Sequence, residues 1–154
     1  MPICFAQHGS ALAEQVDPNR PLSEEGRKEV ERVAAHLRKV GVSAKKVFHS
    51  GKTRAKETAQ ILAERIADGS LFEASGMGPN DKVIEFATAL KEDNTIYVGH
   101  LPHLGKLVSY LYLVAGDEDA GVVKFVNGGV VCVEKDSTGY HIEWYLKPCL
   151  CTGT

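Results

Sequence analysis

The chain has 154 residues, of which 44% are hydrophobic and 25% charged, and its formal net charge is −2. This length suits one domain with a sizeable core, so we expect residues 1–154 to form a single domain. The weak charge gives no reason to expect nucleic acid or an anionic membrane as a partner. The amino terminus lacks the basic region of a signal peptide, and the longest apolar stretch, 107–116, is too short to span a bilayer. We therefore expect a cytoplasmic location.

The first half of the chain alternates between predicted strands and helices. Residues 2–7 form a short apolar run that predicts a buried strand. Ser23 is suited to be the N-cap of a helix whose apolar residues recur at spacings of three and four, and Gly41 is suited to end that helix. Residues 45–50 predict a second strand, and residues 53–67 a second amphipathic helix.

The second half continues this alternation and then changes to strands alone. The glycines and proline of residues 68–80 predict a loop, which is followed by a short helix with Val83 on its inner face. A strand over 94–100 precedes a helix with Pro102 in its first turn. Three further strands are predicted over 122–126, 130–135 and 140–146. This order predicts an α/β protein: a three-layer α/β/α sandwich whose central sheet is mostly parallel, with antiparallel C-terminal strands.

Polar residues follow three of the predicted parallel strands. Open α/β sheets bind ligands outside the carboxyl ends of such strands. The segments at these ends are Gln7-His8-Gly9, Ser50–Arg54 and Gly99-His100. We therefore expect two histidines and an arginine to converge at one edge of the sheet.

The run Ser50-Gly51-Lys52-Thr53 looks like the end of a nucleotide-binding P-loop. That motif requires a further glycine five residues before Gly51, and this position is Lys46, within a predicted strand. The loop of backbone N–H groups that surrounds the phosphates is therefore missing. The sequence excludes this kind of nucleotide site.

The four cysteines do not predict a metal site. Cys149 and Cys151 form one C-x-C pair, and Cys4 and Cys132 lie in apolar strands. A structural metal needs more ligands at workable spacing, and no cluster of carboxylates offers them. We expect reduced structural thiols, no metal and no cofactor.

Four motifs in order resemble the histidine phosphatase superfamily (branch 1). They are QHGSA at 7–11, RPLSEEG at 20–26, HSGKTRAKETA at 49–59 and VGHLPHL at 98–104. The short chain and its ending WYLKPCL, at 144–150, are similar to those of the small bacterial phosphohistidine phosphatases. The resemblance covers nearly the whole chain and implies a phosphoglycerate-mutase-like fold.

The resemblance also implies roles for single residues. His8 would be the nucleophile that takes the phosphoryl group, Arg54 would bind the phosphate oxygens, and His100 would be the second histidine of the site. Gly9 would leave room for the phosphate to approach the backbone. Gln7 stands where the family has its first arginine, so one positive charge is missing. Chemistry agrees with these roles, because a neutral imidazole is a nucleophile and a guanidinium neutralises a phosphoryl group.

Other residues are candidates for supporting roles. Arg20 is a possible substrate contact, and it or Lys52 could restore the charge that Gln7 lacks. Glu73, Asp81 and Glu85 fall where a general acid could lie, but we favour the interpretation that each is a solvated surface charge. Asp81 could also cap the helix that follows it.

The expected function is metal-independent hydrolysis of phosphohistidine in proteins through a phospho-His8 intermediate. Phosphohistidine leaves as an imidazole and needs little help from an acid, whereas a phosphate ester needs a general acid. Two alternatives stay open. The chain could be a phosphate-binding module with little turnover, because Gln7 replaces the arginine, or it could be a small-molecule phosphomonoesterase. The expected partner is accordingly a phosphorylated protein or a small phosphoester.

Overall fold

A computed structural model describes residues 2–91, 93–113 and 121–151. Over these ranges the chain forms six strands, four α-helices and one short 3-10 helix. The strands are β1 (Ile3–Gln7), β2 (Lys46–His49), β3 (Leu71–Glu73), β4 (Thr95–Gly99), β5 (Val130–Asp136) and β6 (Gly139–Leu146). The helices are α1 (Glu24–Lys39), α2 (Thr53–Ile66), α3 (Val83–Ala89) and α4 (His103–Leu113), and the 3-10 helix is Pro148–Leu150.

All six strands form one sheet in the order β3-β2-β4-β1-β5-β6. The strands β3, β2, β4 and β1 are parallel to one another, whereas β5 is antiparallel to β1 and β6 is antiparallel to β5. The carboxyl ends of β2, β4 and β1 therefore lie side by side at one edge. The predicted mostly parallel sheet with antiparallel C-terminal strands is confirmed.

Helices cover both faces of the sheet. On one face, Leu37 of α1 and Leu62 of α2 pack against β2 and β4 in one buried apolar cluster. On the other face, Phe86 of α3 and Leu107 of α4 pack against β1 and β4 in a second cluster, which includes Phe5. Burial of these apolar side chains is the main force that holds the three layers together.

The first helix begins as the sequence predicts. The side-chain oxygen of Ser23 accepts a hydrogen bond of 3.0 Å from the backbone N–H of Gly26, so it satisfies one of the free N–H groups of the first turn. Glu24 and Glu25 place negative charge at the positive end of the helix. Gly41, just beyond the helix, has φ +86°, a conformation that glycine adopts easily.

Two of the predicted secondary-structure elements are wrong. Residues 68–80 are not wholly a loop, because β3 pairs in parallel with β2 at the edge of the sheet. Residues 122–126 form no strand, although valines favour one. Phe125 instead packs into the apolar cluster beside α4.

No helix in the described ranges combines the length and the hydrophobicity that crossing a bilayer requires. The single domain expected over 1–154 stays a prediction, and residues 1, 92, 114–120 and 152–154 lie outside the described residues.

Candidate active site

The candidate site lies where β1, β4 and β2 end. Gln7 of β1 is in register with Gly99 of β4, and the backbone N–H of His8 donates a 3.1 Å hydrogen bond to the Gly99 carbonyl. His8 and His100 each follow one of these strands directly, so their rings come together, with 5.0 Å between ring centres and 49° between planes. The predicted convergence of two histidines therefore occurs.

The tautomer of His8 follows from its hydrogen bonds. Its Nδ1 lies 2.7 Å from the carbonyl oxygen of Gly9, which can only accept, so Nδ1 carries the proton. Nε2 then keeps its lone pair and accepts a hydrogen bond of 3.3 Å from Nε of Arg54. The nitrogen that is able to act as a nucleophile therefore faces a guanidinium group.

Arg54 occupies the first turn of α2, and its side chain is half-buried. Lys52 is the N-cap of α2, and it makes no side-chain hydrogen bond to the N–H groups of the first turn. The start of a helix attracts anions through these N–H groups and the helix dipole. The forked guanidinium and the helix end thus offer donors to the same anion.

Thr58 joins the His8 loop to α2, and the sequence analysis assigned it no role although it lies within the HSGKTRAKETA motif. Its hydroxyl accepts a 3.0 Å hydrogen bond from the N–H of Gly9 and donates one of 2.8 Å to the carbonyl of Arg54. Gly9 is also fixed by packing, because a β-carbon there would lie 2.7 Å from Cγ2 of Val30. A reason for glycine at this position is therefore the contact with α1.

His100 is almost fully buried and is held by a residue from the neighbouring strand end. The hydroxyl of Ser50 lies 2.6 Å from His100 Nε2, while Nδ1 has no hydrogen-bond partner among the described residues. Burial, followed by the nearby charges of His8, Arg54 and Lys52, lowers the pKa of His100 to about 3. His100 is therefore neutral at pH 7.

His8 is held neutral by similar causes. Burial lowers its pKa first of all, and the positive charges of Arg54 and Arg20 lower it further, against the opposing effect of the Gly9 carbonyl. Arg20 therefore lies near enough to act on the site electrostatically. Its backbone has φ +47°, and its Nε donates a 3.1 Å hydrogen bond to the Leu12 carbonyl.

Gln7 is buried and joined to a residue far along the chain. Its Nε2 donates a 2.7 Å hydrogen bond to Oδ1 of Asn127, and its Oε1 has no partner among the described residues. Asn127 in turn donates a 3.4 Å hydrogen bond to the Ser10 hydroxyl. Asn127 has no signal in the sequence beyond its place in the Asn-Gly-Gly turn, so it was not predicted to belong to the site.

The candidate general acids are not hydrogen-bonded to His8 or His100 in the described part of the chain. Asp81 accepts a 2.7 Å hydrogen bond from the N–H of Gly78. The N-cap of α3 is Lys82, which makes no side-chain cap bond, so the suggestion that Asp81 caps this helix is wrong. Glu85 is exposed on α3, and the carboxylate of Glu73 lies against Gly51.

Among the described residues, no group of three or more histidine, cysteine or acidic side chains is placed to hold a metal ion. The four cysteines are free thiols, as expected.

The sequence is similar to that of a known protein family. The profile of the histidine phosphatase superfamily (branch 1) matches residues 3–73, which contain the first three of the four motifs. No sequence among the curated proteins matches.

Solved structures share the fold over nearly the whole chain. The protein histidine phosphatase SixA complexed with tungstate is 21% identical, with a TM-score of 0.83, covering 97% of this chain and 99% of that one. A chain assigned as the phosphohistidine phosphatase SixA of Agrobacterium tumefaciens is 18% identical, with a TM-score of 0.77 and coverages of 96% and 97%. A variant of phosphoserine phosphatase from Entamoeba histolytica, in complex with phosphoserine, is 15% identical, with a TM-score of 0.71 and coverages of 94% and 95%.

The sequence match and the shared fold agree with the four motifs and with the expected phosphoglycerate-mutase-like architecture. Residues 3–73 thus match branch 1 of the histidine phosphatase superfamily, and the fold of nearly the whole chain is similar to that of SixA, in keeping with the resemblance that the motifs indicate.

Proposed function

We propose that the protein is a phosphatase that acts on phosphohistidine in proteins through a phosphorylated His8. The observation that carries the proposal is the unprotonated Nε2 of His8, 3.3 Å from Nε of Arg54 and beside the ring of His100. Phosphoryl transfer depends mainly on positioning and on neutralising charge, and these three side chains provide both.

The reaction has two steps. In the first, the lone pair of His8 Nε2 forms a bond to phosphorus, while the bond between phosphorus and the substrate nitrogen breaks. The substrate ring carries a proton on its other nitrogen, so the imidazole leaves as a neutral ring. Arg54 turns its N–H groups from His8 to the phosphoryl oxygens. In the second step, water attacks phosphorus, the bond to Nε2 breaks, and phosphate leaves.

The chemistry of the leaving group favours phosphohistidine as the substrate. An imidazole departs without a general acid, whereas an alkoxide requires one. Asp81 bonds to Gly78 and Glu85 is exposed on α3, while Glu73 lies against Gly51 with no hydrogen bond to His8 or His100 among the described contacts. The fold is also similar to that of SixA, which is described as a protein histidine phosphatase.

A phosphate-binding module with little turnover is the second candidate. Gln7 provides no charge, and its amide N–H already bonds to Asn127. Arg20 is the proposed substrate contact that offsets this loss, since its charge acts on both His8 and Arg54.

A small-molecule phosphomonoesterase is the third candidate, because the fold is also similar to that of a phosphoserine phosphatase.

The test is a comparison of kcat/KM on a phosphohistidine peptide and on a phosphoserine peptide of the same sequence. Faster hydrolysis of the phosphohistidine peptide supports the proposal. Faster hydrolysis of the phosphoserine peptide would promote the monoesterase, and tight binding of both without turnover would promote the binding module.

The intermediate has its own test. Wild-type protein, mixed briefly with a phosphohistidine peptide carrying radioactive phosphate and then quenched in alkali, should retain label. His8→Ala should retain none, while His36→Ala, a change on α1 away from the site, should label like the wild type. Equal labelling of the His8→Ala variant would refute the mechanism.

A further inference from the structure

Two cysteines lie directly opposite each other in neighbouring antiparallel strands. Cys4 of β1 is in register with Cys132 of β5. The backbone N–H of Gln7 donates to the carbonyl of Gly129, and the Gln7 carbonyl accepts from the N–H of Gly128, so Gln7 turns its backbone groups toward β5 at a hydrogen-bonded position of the ladder. Pairs alternate along antiparallel strands, so Cys4 and Cys132, three positions away, form a non-hydrogen-bonded pair.

This kind of pair brings side chains close together. Its Cα atoms are about 4.5 Å apart, which falls within the range of roughly 4.4–6.8 Å that disulfides span. Both side chains point to the same face of the sheet, where they belong to the cluster packed under α1 and α2. A bond between the two sulfurs therefore requires no change of strand register.

The local chemistry also couples the two thiols. A hydrogen bond between them, together with burial, raises the pKa of Cys4 well above its ordinary value, and the same hydrogen bond lowers the pKa of Cys132. Cys132 is therefore the better nucleophile of the pair, because the thiolate is the reactive form.

A small oxidant has a place to reach the pair. A cavity of about 200 Å³ is lined by both cysteines and by Val42, Ile96 and Trp144. Cys4 lies within β1, three residues before the strand ends at Gln7, and Cys132 is paired with it within β5. The pair is thus separate from the candidate active site.

We propose that Cys4 and Cys132 form a reversible intrachain disulfide when the protein reacts with a peroxide. The Cys132 thiol gives up its proton and the thiolate attacks one peroxide oxygen. The O–O bond breaks, the leaving oxygen takes up that proton, and a sulfenic acid and water result. The thiol of Cys4 then attacks that sulfur, the S–O bond breaks, and a disulfide and a second water form. One peroxide is reduced for each pair of thiols oxidised.

The experiment exposes the folded protein to hydrogen peroxide, blocks remaining thiols with N-ethylmaleimide during unfolding, and maps tryptic peptides by mass spectrometry. Cleavage after Lys124 and Lys135 isolates Cys132 from Cys4 and from the Cys149-Cys151 segment. The expected product joins the Cys4 and Cys132 peptides, lacks two hydrogens, and disappears after dithiothreitol. The variant Cys149→Ser, which removes the exposed thiol, should give the same product.

The proposal is overturned if the thiols of Cys4 and Cys132 still react fully with N-ethylmaleimide after peroxide treatment. It is also overturned if the only linked peptides contain Cys149 or Cys151, or if Cys4 and Cys132 gain oxygen atoms without becoming joined. Because the wild-type protein carries the main readout, the result does not depend on whether a Cys132→Ser variant folds.

Discussion

The imidazole rings of His8 and His100 lie 5.0 Å apart although 92 positions separate them in the chain. The distance follows from one pairing, because β1 and β4 are adjacent parallel strands with Gln7 in register with Gly99. Residues that follow such strands by one position must lie side by side. A single phosphoryl group at this edge is therefore within reach of both rings and of Arg54.

Arg54→Lys should lower kcat/KM on the phosphohistidine peptide by about 10²- to 10³-fold, the usual effect of removing one preorganised donor. Lysine keeps the charge but loses the planar fork that contacts two phosphoryl oxygens. Steady-state kinetics measure the effect. Arg65→Lys is the matched control on the same helix, since Arg65 bonds only to Glu31 on the surface in the described contacts. Equal rates for Arg54→Lys and the wild type would remove Arg54 from the proposed mechanism.

Gln7→Arg should raise kcat/KM by roughly 10- to 100-fold, because hydrogen bonds to charged groups contribute about 1.5–3 kcal/mol and a neutral amide provides less. The same kinetic assay measures it. Gln15→Arg adds the same charge on an exposed loop and should change little. An unchanged rate for Gln7→Arg would show that the missing charge does not limit turnover, and would count against the binding-module candidate.

Stability should fall as the pH drops from about 6.5 toward 3, in part because of His100. Its pKa is about 3 in the folded protein and near 6.5 when unfolded, so between these values the unfolded chain binds a proton that the folded protein does not. His100→Gln should therefore reduce the loss of unfolding free energy between pH 7 and pH 5. Urea denaturation at both pH values measures this.

The control for that measurement is His36→Gln, a change on α1. The unfolding free energy of this variant should change between pH 7 and pH 5 as that of the wild type does. If the unfolding free energy of His100→Gln also kept the wild-type dependence on pH, the conclusion that His100 is buried and neutral in the folded protein would be wrong.

Thr58→Val should lower the free energy of unfolding by about 1–3 kcal/mol, because the buried N–H of Gly9 loses its acceptor. Thr88→Val is the matched control, since Thr88 also donates to the carbonyl four residues earlier, at 2.8 Å, but lies exposed on α3. Its change should stay within about 0.5 kcal/mol. Similar losses for the two variants, measured by urea denaturation, would contradict the role given to Thr58.

Local patterns were sufficient for most elements. The apolar run before His8, the Ser23 cap and the two amphipathic helices were all predicted correctly, because strand burial, capping and helix periodicity depend on neighbouring residues. Residues 71–73 and 122–126 were assigned wrongly. Whether a short segment becomes a strand depends on a free edge beside it, and this is a property of the assembled sheet.

The sequence by itself determined the chemical groups of the candidate site, since His8, Arg54 and His100 occupy recognisable motifs at predicted strand and helix ends. Only the tertiary structure decided how these groups are held. The contacts of Ser50 with His100, Thr58 with Gly9 and Gln7 with Asn127 join residues 49 to 120 positions apart. Such contacts exist because β2, β4, β1 and β5 are neighbours in the sheet, and no local pattern encodes that order.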